Sequence, residues 1–428
     1  MKKILIISYF FPPCSLTASE RVSSWAKFLN KFGYYPVVVT RKWEEKLKTL
    51  KDVSIPTSPG VIHEKNDNFE VYYMPYAGNL RDRIYKKHGD SKFRLLRQSL
   101  TFIELFFQYI FNSFIPYSNL YTQADKLCKE ESFDCMIASG NPFNLFKFGF
   151  LINKKYKLKW IADYRDGWST SEINDVSSSI FKRIIHKLDT IYERKWVSTA
   201  SYVTASSQPI GKSIEMLTGV RSTALFNGIL FEDFDDVNIL NPLKDFTITY
   251  VGTLYDGQKI EFFCKAYKEF IQKYEIKNAK LLFPGLAFFG EQESRVQKAL
   301  SGYEQFFECS ERIPREEILE LEKKSHLLLH VAWQGYKGII ASKIYEYIAS
   351  GTKIIVAPSD DGAIHQIVEN SGCGVMISDN SKLIEFLKVE YDLFLSNNTP
   401  KNRIDSDEVQ QFSREKQVEG LVQIINSI

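Results

Sequence analysis

The chain alternates short, mostly apolar runs with longer stretches of helical spacing, and it does so twice. Ile4–Ile7, Val37–Thr40, Cys135–Ser139, Trp160–Ala162 and Tyr202–Ala205 form a first set; Thr247–Val251, Lys280–Phe283, Leu327–Val331 and Lys353–Ala357 form a second. Such short runs, largely without polar alternation, read as strands buried on both faces, which occur where helices cover both sides of a parallel sheet. The pattern predicts two doubly wound, Rossmann-like α/β lobes, over 1–235 and 245–405, joined by a polar linker around Phe234–Lys244. A cleft between the lobes is the expected ligand site, because open parallel sheets bind ligands beyond the carboxyl ends of their strands. Val409, Phe412, Val418, Leu421, Val422 and Ile425 make a helical stripe, so 406–428 is expected to end in a helix packed on a lobe.

Charge excludes one class of partner. With 55 basic and 52 acidic residues in 428, the net charge of +3 is too small for a general polyanion binder, and nucleic acid is not an expected partner. The six cysteines form no CxxC pair, which predicts reduced thiols and a cytoplasmic location. The six histidines form no HExxH, and neither a metal nor a cofactor is expected. His326 and His330, within HLLLH, are expected in the core or at a strand end. Lys2 and Lys3 before an apolar run resemble the start of a secretion signal, but the run is short and stops at Pro12 and Pro13, so a first strand is the better reading.

The most informative segment is Lys337–Gly351, KGIIASKIYEYIASG. It reads as a loop entering a helix near Ser342, with Ser342 as N-cap and Gly351 just past the end. The free N–H groups of such a start suit a diphosphate, Lys343 adds a full charge, and Glu346, one turn on, can accept from two ribose hydroxyls. Upstream, Tyr250–Lys259, YVGTLYDGQK, places Gly252 and Thr253 after a strand, where a glycine lets backbone approach a ligand, and Lys259 a few residues on. Phe283–Gly285, RIPREE at Arg312–Glu317 and DDGAIHQI at Asp360–Ile367 follow in order.

Together these segments resemble the nucleotide-sugar lobe of family 4 glycosyltransferases of the GT-B fold. That family's signature is two glutamates separated by seven residues; Glu346 matches the second, which contacts the ribose, and the first falls on Gly338. The common pattern also has Arg after the strand-end glycine, where this chain has Thr253, and its Lys lies one step earlier than Lys259.

In the first lobe, SYFFPPCSLTASER at Ser8–Arg21 resembles the family's first loop, with Ser15, Thr17 and Ser19 in place of its glycines and Arg21 leading into a helix. No GxGxxG follows the strand, which argues against a dinucleotide enzyme. KWIADYRDGW at Lys159–Trp168 sets Asp163, Arg165 and Asp166 directly after a buried strand, near where many members carry a His-Asp pair. There an Arg can stabilise a leaving diphosphate and a carboxylate can steer an acceptor hydroxyl; the alternative is an Asp-Arg pair that braces the loop.

Lys92–Tyr121 is rich in Leu, Ile and Phe, with Glu104, Gln108 and Asn112 on one stripe and basic residues upstream. Two readings stand: an amphipathic helix lying on the inner face of the cell membrane, or burial against the lobe core.

The resemblance implies a retaining transferase that moves a hexose-type sugar from a UDP- or GDP-linked donor to a surface polysaccharide or lipid-linked glycan. Its expected donor residues are Gly252, Thr253, Lys259, Ser342, Lys343 and Glu346; its expected catalytic residues are Asp163, Arg165 and Asp166. A nucleotide-sugar epimerase on the same plan, or a non-catalytic scaffold of that shape, are the alternatives.

Overall fold

The computed structural model describes residues 1–14, 16–43, 53–89, 92–173, 180–234, 243–288 and 290–428. The described residues form two sheets. The first is built from β1 (Lys2–Ser8), β2 (Tyr34–Arg41), β3 (Ile62–Lys65), β4 (Glu70–Met74), β5 (Cys135–Gly140), β6 (Trp160–Tyr164), β7 (Tyr202–Ala205) and β8 (Ser222–Ala224), in the order β3-β4-β2-β1-β5-β6-β7-β8. β1 lies near the middle, parallel to β2 with Leu5 opposite Val37 and to β5 with Ile6 opposite Ile137; only the edge strand β3 is antiparallel. The second sheet comprises β9 (Phe246–Thr249), β10 (Ala279–Pro284), β11 (Phe307–Ser310), β12 (Leu327–His330), β13 (Ile354–Val356) and β14 (Gly374–Met376), ordered β11-β10-β9-β12-β13-β14 and all parallel.

Both sheets have the reversal of strand order that defines a doubly wound fold, with helices following the strands. Ile4–Ile7 and Leu327–Leu329 are fully buried, as continuous apolar runs require. Close helix-to-sheet approach has a visible cause at Gly149: a Cβ there would lie 2.7 Å from the Trp160 ring, so only glycine lets the helix Asn144–Tyr156 sit on β6. The six cysteines are free thiols.

The chain divides into two compact units, 1–227 with 417–428, and 228–416. Residues 228–234, expected with the first lobe, belong to the second unit because Ile229 exchanges backbone hydrogen bonds with Phe412 (2.8 Å) and Arg414 (2.9 Å). The C-terminal stretch is itself divided. Val409 and Phe412 are buried within the second unit, while the helix Arg414–Ser427 carries the chain back into the first, where Gln417 Oε1 accepts from Phe226 N–H at 2.8 Å. Most of the expected linker, 235–242, lies outside the described residues.

Candidate functional site

In the second unit the helix Lys343–Ala349 is short, seven residues. Ser342 stands at its N-cap, but with helical backbone angles and no side-chain cap bond, which differs from the expected capping. Gly351 follows the end with a φ of +70°, as a C′ glycine should. So short a helix contributes little macrodipole, which leaves side chains to carry the local charge.

Two of those side chains hold one residue. Lys343 Nζ donates to the Val251 carbonyl at 2.7 Å and sits 3.6 Å above the centre of the Tyr250 ring. One turn on, the Tyr347 hydroxyl accepts from Val251 N–H at 2.8 Å. Both backbone polar groups after β9 are thus tied to the same helix. The next residue, Gly252, has a φ of +86° and open space where a Cβ would stand, so its backbone is presented unscreened. Thr253 is half-buried and its carbonyl accepts from Tyr250 Oη at 2.9 Å. Lys259 is exposed at the N-cap of the helix Ile260–Lys273. Gln258, beside it, is the residue that fixes the loop: buried, it accepts from Tyr255 N–H at 3.0 Å and donates to the Val331 carbonyl at 2.5 Å.

Glu346 pairs with Arg315, whose second terminal nitrogen lies 3.0 Å from Asp233 Oδ2. Arg315 belongs to the RIPREE segment and opens the helix Arg315–Lys324; on the same face two turns later comes Glu322, fully buried, with neither carboxylate oxygen hydrogen-bonded. Burial, and then the nearby Glu346 charge, push the Glu322 carboxyl well above its usual range and disfavour its ionised form. Desolvation pulls the Lys343 ammonium down to about 7, against the opposing pull of Glu322 and Glu346. His330, buried at the end of β12, is held neutral by desolvation, its ring drawn down to about 3; His326 accepts from Thr247 N–H at 3.0 Å. Both histidines occupy strand-end core positions. Among the described residues no three His, Cys, Asp or Glu are grouped to hold a metal ion.

The first unit departs from expectation at its charged residues. Asp163 is fully buried. Its carboxylate accepts from Arg21 Nη2 (2.7 Å) and Nε (3.0 Å), from Ser139 Oγ (2.7 Å) and from Thr204 Oγ1 (2.7 Å). Enclosed by donors from one helix and two neighbouring strands, it cannot steer an acceptor hydroxyl; this corrects its assignment to catalysis. Arg21 is likewise 3% exposed and also donates to the Leu225 carbonyl at 2.6 Å, so it is a strut behind the loop rather than a residue facing an acceptor. Ser19 is buried, its hydroxyl donating to the Cys14 and Leu16 carbonyls at 2.7 and 2.8 Å. Thr17 is exposed at the helix N-cap, and Ser15 lies outside the described residues. Arg165, half-buried, donates to the Gly140 and Asn141 carbonyls, both at 3.2 Å, and lies over the Phe10 ring, while Asp166 is exposed. Of the three charges, Asp163 lies within β6 and builds the interior, and Arg165 and Asp166, after the strand, reach the surface.

Sequence reasoning missed Asp233, Glu322 and Tyr347. Glu322 carries no local signal, because only its burial distinguishes it from neighbouring surface acids; Tyr347 stands one turn after Lys343 and was legible as the same helix face.

No family model matches the chain. A 64-residue stretch is 42% identical to the UvrABC system protein C of Chlamydia caviae, covering 14% of this chain; the chain spans only 11% of that protein's length. Similarity to solved structures runs over the whole chain. A sucrose-phosphate synthase from Thermosynechococcus elongatus superposes with a TM-score of 0.63 at 14% identity, covering 100% of this chain and 99% of that one. The alpha,alpha-trehalose 6-phosphate synthase of Burkholderia multivorans gives 0.65 at 10% identity with coverage of 100% and 99%. A trehalose-6-phosphate structure from E. coli bound with UDP-2-fluoro glucose gives 0.63 at 11% identity, again covering 100% and 99%. At these identities the likeness establishes the fold: two Rossmann-like lobes of the GT-B type.

Proposed function

We propose that the protein is a glycosyltransferase that takes a sugar from a UDP- or GDP-linked donor and passes it, with retention of configuration, to a growing surface polysaccharide or a lipid-linked glycan on the cytoplasmic side of the membrane. The observation that carries the reading is the clamp of Lys343 and Tyr347 on Val251, which sets the open backbone of Gly252 beside an ammonium, with Glu346 one helical turn further along. An ammonium and exposed backbone N–H groups suit a diphosphate, and a carboxylate suits the vicinal hydroxyls of a ribose. That a GT-B neighbour was captured bound with UDP-2-fluoro glucose agrees with this assignment.

In the proposed reaction the bond between the sugar C1 and the diphosphate oxygen breaks, the acceptor oxygen bonds to C1, and the acceptor proton leaves with the departing phosphate. Lys343 offsets charge on that phosphate, and Thr253 and Lys259 flank it. Arg165 and Asp166, at the surface after β6, are the residues assigned to the acceptor side. Catalysis then rests on positioning and electrostatics, with no cofactor and no metal assigned.

Thermal stabilisation across a panel of nucleoside diphosphates and nucleotide sugars tests the donor site, because a ligand of the native state raises the melting temperature. A shift with one nucleotide sugar, lost in Glu346→Ala, is the expected result. No shift with any member, from folded protein, overturns the donor assignment; conversion of the nucleotide sugar without acceptor points instead to an epimerase.

A further inference from the structure

In the first unit the stretch Lys92–Tyr121 divides: Tyr109, Ile115, Tyr117 and Leu120 are buried in the lobe core, whereas the helix Arg94–Phe107 contributes no buried residue. Its polar stripe turns inward: Glu104 accepts from Asn79 Nδ2 at 2.8 Å, and Gln108, at the helix end, accepts from Asn144 Nδ2 at 2.7 Å. The apolar side is left outward, with Leu95 79% exposed and Phe106 38%. A second helix, Ile180–Val197, joins this face through Phe181, whose ring lies 4.7 Å from that of Phe102. It adds Ile180, Ile184 and Ile191, 70%, 46% and 51% exposed. Between the helices lies an open groove of about 640 Å³ bordered by Leu95, Phe102, Ile103 and Phe181.

Charge on these elements is sorted by side. The acids of the second helix face the protein: Asp189 accepts from Tyr109 Oη at 2.6 Å and Trp168 Nε1 at 2.8 Å, and Glu193 from Tyr164 Oη at 2.9 Å and Ser169 N–H at 2.8 Å. Its exposed charges, Lys182, Arg183, Lys187, Arg194 and Lys195, are all positive. The helix Leu80–His88 repeats the arrangement, with Asp82 buried and Arg83, Lys86 and Lys87 exposed. In a chain with a net charge of +3, the exposed charges of these two helices are thus all positive.

We infer that this two-helix face docks on an anionic phospholipid bilayer. Apolar side chains ringed by Lys and Arg enter the boundary between headgroups and acyl chains, where burial of Leu, Ile and Phe and attraction to anionic headgroups act together. A protein partner of ordinary composition answers the apolar groove but not a rim of one sign. Among the described residues no helix is long and apolar enough to cross a membrane, so attachment through this face is peripheral. The inference does not rest on the donor-site reading.

Co-sedimentation with vesicles of phosphatidylglycerol and phosphatidylethanolamine, against vesicles of phosphatidylcholine alone, is the test. Binding to the anionic vesicles is expected, reduced by at least about tenfold in Arg183→Glu/Lys187→Glu and in Leu95→Asp/Ile184→Asp, with the melting temperature retained. These positions are exposed, and nucleotide-sugar stabilisation, measured on the same samples, is expected to be unchanged. Equal binding to both vesicle types, binding indifferent to these variants, or no binding overturns the inference. So does self-association in solution that Leu95→Asp abolishes, which assigns the face to a second copy of the chain.

Discussion

Arg315 pairs through one terminal nitrogen with Glu346, the carboxylate assigned to the donor ribose, and holds that carboxylate from the next helix. The other terminal nitrogen, 3.0 Å from Asp233, fixes the guanidinium plane, so Glu346 meets a ligand already oriented. Glu346→Ala is expected to weaken nucleoside diphosphate binding by roughly 10- to 100-fold, the range for hydrogen bonds to a charged group. Arg315→Ala is expected to cost about threefold to tenfold. If Arg315 acts through Glu346, the double variant binds no more weakly than Glu346→Ala alone, which isothermal titration reads directly.

Lys343 gives the donor site a pH dependence. Desolvation leaves its ammonium titrating near 7, and an arriving diphosphate favours the protonated form. Affinity is therefore expected to be highest below pH 7 and to fall by up to about tenfold per pH unit above it, until the raised value in the complex is passed. In Lys343→Met the affinity is lower and this slope disappears; a slope that survives the substitution belongs to another group.

Glu322 is expected to act on stability in the opposite sense to a salt-bridged acid. Its folded value is raised above 4.5, so its contribution is intact below the unfolded value and is lost as pH rises. Glu322→Gln keeps the shape without the titration. Its melting temperature relative to the parent is expected to increase steadily from pH 5 to pH 8, and a difference independent of pH refutes the raised position of this buried carboxyl.

Asp163 separates structure from catalysis. Removing a buried, multiply bonded carboxylate strands the Arg21 charge, at a cost of roughly 3–5 kcal/mol. Asp163→Ala and Arg21→Ala are each expected to lower the stability of the first unit by about that amount, and the double variant by less than the sum. A catalytic Asp163 instead leaves the unfolding midpoint unchanged and lowers turnover, as Asp166→Ala is expected to do.

The strand plan was legible because buried parallel strands announce themselves as apolar runs; all nine expected runs coincide with strands of the two sheets to within a residue or three. Four of the five missed strands, β3, β8, β11 and β14, are the edges of the two sheets, and the fifth, β4, lies next to an edge. β3 is an exposed edge strand, IHEK, and β8 and β14 have three residues each, too few for any period to register. The donor segment was readable because helix, lysine and glutamate lie within one short run. Asp163 misled because it was expected just after a strand, where a site would lie, whereas it belongs to β6 itself and what decides its role, the donors Arg21, Ser139 and Thr204, is scattered along the chain. The outward apolar face was half legible: the period of Arg94–Phe107 is plain, but a period says which side is apolar, not which side faces the protein.

The return of the final helix to the first unit makes that unit discontinuous in sequence, with 228–416 set between its parts. Tyr34 Oη meets Asn426 Oδ1, and Leu225 packs on Gly420, so residues made early wait for residues made about 200 to 400 positions later. On the ribosome the first unit can collect its sheet early but stays open along this seam until 417–428 have emerged, whereas the second has every part it needs once Lys416 has emerged. The unit that begins the chain is therefore the second to be finished.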